Sequence, residues 1–87
     1  MLYEGLLIRA ALAAEEGDSL LAVRLAAAVD ALHAAAGDSP QPGEELINNS
    51  FDLRPNAEAD PQTLAAARLG STASVEQVLA WALGEDD

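Results

Sequence analysis

His33 is the only imidazole in the sequence, and no cysteine accompanies it. Nucleophilic catalysis needs a base beside the nucleophile, and acid–base catalysis by carboxylates needs a pair of them in a pocket. His33 stands by itself near the end of an Ala-rich stretch, where a positive charge would complement a helix C-terminus. It therefore reads as a surface or boundary residue. Glu15, Glu16 and Asp18 gather carboxylates, as do Glu85, Asp86 and Asp87. Neither group has the alternating oxygen ligands and central glycine of a calcium loop, so solvated charge is the expectation. No zinc ligand set is present, and no glycine-rich phosphate loop follows a strand. Asn48-Asn49-Ser50 fits a glycosylation sequon, but without a secretory signal it reads as turn chemistry from adjacent Asn side chains. The expectation is a non-enzyme with no catalytic residue, no cofactor and no metal.

One charged residue is out of place. Arg24 falls on an apolar arc, where its stem is expected to run along the surface while its head pairs with a carboxylate. A recognition role is the alternative.

The elements that carry these residues begin with Leu2–Gly37. Ala, Leu, Arg and Glu dominate it, which predicts helix. Glu16-Gly17-Asp18 divides it into two helices: Gly17 suits a left-handed closure, and Asp18 or Ser19 can cap the second helix. A turn this short forces an antiparallel hairpin. At 100° per residue, Leu2, Tyr3, Leu6, Leu7, Ala10 and Ala14 form one arc of the first helix. Glu4, Arg9, Glu15 and Glu16 lie opposite, with Ile8 and Leu12 among them. The second helix is apolar nearly all round, interrupted by Arg24, Asp30 and His33, and so wants partners on more than one side. Gly37, Ser39-Pro40 and Pro42-Gly43 mark its end.

A linker, 38–60, follows; Glu44–Phe51 fits a short helix or an extended stretch, with Leu46, Ile47, Phe51 and Leu53 as anchors. Asp60-Pro61 starts a helix, predicted over Pro61–Leu69 and closed by Gly70. Ser74 and Gln77 form a capping box for the last helix, whose apolar face is Val75, Val78, Leu79, Ala82 and Leu83, with Trp81 on its flank against Phe51 or Tyr3. Gly84 closes it, and 85–87 is an acidic tail.

Composition bounds the rest. One small all-α domain spans 1–87: a hairpin at 1–37, a linker at 38–60 and a C-terminal helix pair at 61–84. Much of its apolar content is Ala and aromatics are 3%, so the core is thin for its helix count and favours docking or oligomerisation. A net charge of −11 repels nucleic acid and anionic membranes. No apolar run approaches the roughly 20 residues of a membrane span, and no basic signal region opens the chain, so a cytoplasmic protein is expected.

The spacing of Gly17-Asp18 with Ala22, and Ala10 in the first helix, is similar to the tetratricopeptide turn and its small packing positions. More narrowly, Glu15–Pro42 resembles the C-terminal end of the helical-repeat region in large ATP-binding regulators of the LuxR class. Ala65-Ala66-Ala67-Arg68-Leu69-Gly70 and Ser74–Leu83 resemble the tail that follows it. The stretch between Gly70 and Ser74 is shorter than in that family, and Glu44–Pro55 matches nothing in it. The resemblance implies a tetratricopeptide-like hairpin and a link to transcription regulation; the family's ATP-binding and DNA-reading activities do not carry over to these residues.

Together these readings predict a non-enzymatic protein-interaction module with a protein partner, a second copy of the chain included, and no direct nucleic-acid or membrane contact. The expected interface residues are Ile8, Leu12, Arg24 and Trp81. A small acidic inhibitor mimicking nucleic-acid charge is the alternative. It would want carboxylates spread along one helix face, whereas these gather at turns and ends.

Overall fold

A computed structural model describes residues 2–37, 42–51, 53 and 58–84, with the side chains of 2–4 and 44 left aside. The described residues form five α-helices and no strand: α1 (Leu2–Glu15), α2 (Ser19–Ala36), α3 (Pro42–Phe51), α4 (Pro61–Thr72) and α5 (Val75–Leu83). The expected all-α class is what the chain adopts.

The α1–α2 hairpin is built by the turn residues as their chemistry dictates. Gly17 takes a φ of 89°, which a side chain would resist, and this lets the chain reverse at once. Its N–H donates to the Ala14 carbonyl and that of Asp18 to the Ala13 carbonyl, the paired closure of a Schellman motif. Asp18 then caps α2 by accepting from the Leu21 N–H at 3.2 Å. One residue thus ends one helix and starts the next.

Helix α2 is the central element. It packs against α1 on one side and α4 on another, with α5 also in contact. Leu21, Ala22, Leu25, Ala26, Ala28 and Val29 are all buried, which accounts for its nearly all-round apolar sequence. Its 18 residues also reach the lower end of the length of a membrane span, closer than the sequence reading allowed; here 44% of it is buried inside the molecule, against α1, α4 and α5. His33 sits in its last turn and is 6% exposed, so the surface position expected for it is corrected: a helix sandwiched between neighbours has little surface to offer.

The middle of the linker is helical. Pro42 and Gly43, read as breakers, form the first turn of α3, where a proline N–H is not required. Helix α3 packs on α1, with Asn48 buried and Ile47 and Phe51 partly buried. Leu53 is buried just beyond, its N–H donating to the Asn48 carbonyl at 3.0 Å. The turn expected at Asn48-Asn49-Ser50 is therefore a helix, and Leu46, expected as an anchor, is 67% exposed. The flanking linker residues and the acidic tail lie outside the described residues.

Helix α4 starts as expected, with Asp60 accepting from the Thr63 N–H at 2.7 Å and Pro61 in the first turn. It does not stop at Gly70 but continues to Thr72. Helix α5 is capped by Ser74, whose Oγ accepts from the Gln77 N–H at 3.2 Å. Its buried arc is Val78 and Trp81, while Val75 and Leu83 are exposed. The face is rotated from the expected one because the indole, the largest apolar surface on the helix, takes the core.

Candidate functional site

The expected interface residues divide into two pairs. Trp81 lies inside the molecule, and Arg24 is partly buried beside it. The Arg24 guanidinium sits 4.5 Å from the centroid of the Trp81 ring, a cation–π arrangement. Trp81 is 4% exposed, belongs to the same core cluster as Leu53 and the partly buried Phe51, and offers almost no surface to a partner. Tyr3, its other expected neighbour, has its side chain outside the description.

Gly70 explains why α4 passes so close. A Cβ built there would lie 2.1 Å from the Arg24 carbonyl oxygen and 2.9 Å from its carbon. The backbone of α4 therefore rests on the backbone of α2 at Arg24, with buried Ala66 one turn before. Arg24 joins three helices: its backbone receives α4, and its side chain covers the indole of α5. Sequence reasoning took Gly70 as a terminator; its signal as a contact was its place after Ala66, at i,i+4 among small residues.

Ile8 and Leu12 are the other pair, and each is 49% exposed. They lie one turn apart on the side of α1 turned from the buried Leu6, Leu7, Ala10 and Ala13. Among the described residues no other two exposed large apolar side chains stand one turn apart. Helix α3 packs on α1 yet leaves this pair half open. Glu15 and Glu16 are exposed at the same end of the helix. Arg9, read from sequence as part of the same polar face, donates from Nε to the Ala82 carbonyl at 3.1 Å. That carbonyl is in the last turn of α5, where a helix lacks internal donors and its dipole favours a cation. The arginine is thus tied to α5, and the face keeps its carboxylates.

An open hollow of about 590 Å³ lies between α2 and α4. Ala27, Ala31 and Ala67 make its apolar lining, with Leu64, Asp30 and Arg68 around them. Ser71 also reaches it, but its hydroxyl donates to the Arg68 carbonyl at 2.9 Å within its own helix. Asp30 is the carboxylate among the lining residues, and no histidine is among them. Among the described residues no three His, Asp or Glu side chains converge as metal ligands would. The Asp60 carboxyl is held below its ordinary pKa, chiefly by the backbone N–H of Thr63; this is helix capping at the surface.

No protein-family model, curated protein or solved structure matches the chain.

Proposed function

We propose that the chain is a non-enzymatic interaction module that binds another protein chain through the outer face of α1. The observation that carries this reading is the half-exposed Ile8–Leu12 pair on a helix whose other sides meet α2, α3 and α5. Burying one such side chain fully is worth roughly 1.5–3 kcal/mol, and at these half-exposed residues about half of that remains to be gained at each. A docking partner recovers it.

The tetratricopeptide-like reading belongs here as well. Support for it comes from the antiparallel α1–α2 pair and from Ala10 and Ala22, both buried where neighbouring helices approach closely. In a repeat array the outer face of α1 would pack on a preceding helix, so the end of a regulator's helical array is the context that fits.

Two occupants suit the face: a second copy, paired about a two-fold axis so that the same patch serves both chains, or a different protein. Sedimentation of the parent and of the Ile8→Glu, Leu12→Glu variant tests the reading. A parent that associates and a folded variant that does not would place the interface on α1. An association that survives both substitutions would remove it from this face.

A further inference from the structure

We infer that the occupant of the α1 face is a basic amphipathic helix of another protein, and not a second copy of this chain. The inference rests on the proposed use of that face and names its partner by charge.

The apolar pair is bordered by like charges. Glu15 and Glu16 are exposed at the C-terminal end of α1, and the sequence puts Glu4 at the N-terminal end. The only arginine of α1 is engaged with the Ala82 carbonyl. Two-fold pairing of α1 with its own copy then sets acid against acid in either direction. Parallel helices place Glu15 and Glu16 beside themselves, and either direction brings two strongly acidic chains together. Each copy also carries a net charge of −11. Like charges across an interface select against a partner, while opposite charges steer one in. A chain with Lys or Arg flanking an apolar stripe reverses the sign of every one of these terms.

The shape of the patch selects a helix. Ile8 and Leu12 form an i,i+4 ridge, and such ridges seat between the corresponding ridges of a facing helix. On its other sides α1 packs against α2, α3 and α5. The partner is thus an amphipathic helix read through apolar anchors one turn apart, with basic residues at its margins.

The test uses the full chain and three synthetic peptides of equal length in calorimetric titration. One is helical with a Leu stripe flanked by Lys. The second has the same composition scrambled, and the third carries Glu in place of Lys. The expected result is binding of the first peptide alone, weakened by salt as a charged rim requires. The Ile8→Glu, Leu12→Glu variant makes the decisive comparison. It adds two negative charges, so attraction by charge alone would strengthen binding, whereas docking on the apolar pair would weaken it about ten-fold or more. Glu15→Lys, Glu16→Lys keeps the apolar pair and should also weaken binding of the basic peptide. Equal binding of the scrambled peptide, or tighter binding by the Ile8→Glu, Leu12→Glu variant, overturns the inference. A parent that self-associates through Ile8 and Leu12 and ignores the basic peptide overturns it too, while leaving the interaction module intact. A monomer that binds none of the peptides removes both.

Discussion

Gly70 is the residue whose role the structure changes most. In an exposed helix interior, replacing Gly by Ala stabilises by about 1 kcal/mol through propensity. At Gly70 the added Cβ meets the Arg24 carbonyl at 2.1 Å, and both groups belong to helix backbones that cannot yield locally. Steric cost wins over propensity. Gly70→Ala should destabilise by about 1–3 kcal/mol in denaturant unfolding, and a stabilised variant would mean that α2 and α4 do not touch there. Trp81 and Arg24 are coupled in the same region. Trp81→Ala should cost about 3 kcal/mol or more, since a core indole leaves a large cavity. Arg24→Met, which keeps most of the stem, should cost about 0.5–2 kcal/mol with Trp81 present and much less with Leu at position 81. A double-mutant cycle reads that difference directly. Arg24 stood out in the sequence as a charge on an apolar arc, yet its partner did not, because a cation over a ring leaves no spacing signature between residues so far apart in the chain.

At the scale of elements, local chemistry made most of the fold readable. Gly17-Asp18, Asp60-Pro61 and Ser74 each do what their side chains and dihedral freedom prescribe, and they bound four of the five helices. Helix α3 was open to two readings because its punctuation conflicts with its outcome. Pro42-Gly43 and the paired Asn residues signal turns, and packing of Ile47, Asn48 and Phe51 on α1 overrides them. The rotated face of α5 has the same kind of cause, since helical spacing alone does not decide which neighbouring arc wins the core. The cap of α4 carries a pH dependence. The Thr63 N–H bonded to Asp60 favours the ionised carboxyl and lowers its pKa in the folded chain. A group of this kind stabilises above its unfolded pKa, near 4, and the stabilisation is lost as pH falls through the lower folded value. Protection of the Thr63 and Leu64 amides, taken relative to their intrinsic exchange rates at each pH, should therefore fall on acidification across that window. In Asp60→Asn, which keeps a capping oxygen without the titration, this acid-induced change should be absent.

The described residues form a central helix, α2, packed against α1, α4 and α5, with α3 on α1, alanines in the core and a strongly acidic composition. Alanine permits close approach but buries little area, so each larger side chain left in water counts for more. That balance turns Ile8 and Leu12 from ordinary exposed residues into a candidate interface. The pair was visible in the sequence as apolar residues among charges. The capture of Arg9 by α5, which leaves the face acidic, needed the fold, because Arg9 and Ala82 are brought together only by tertiary packing. The most direct measurement of the proposed role is the methyl NMR spectrum of the isotope-labelled chain, recorded over a range of protein concentrations and then with the basic amphipathic peptide. Ile8 and Leu12 signals should hold still on dilution and move when the peptide is added, while Leu64 and Ala67 of the α2–α4 hollow stay in place. Movement confined to the hollow, with Ile8 and Leu12 unchanged, would contradict the assignment of the face.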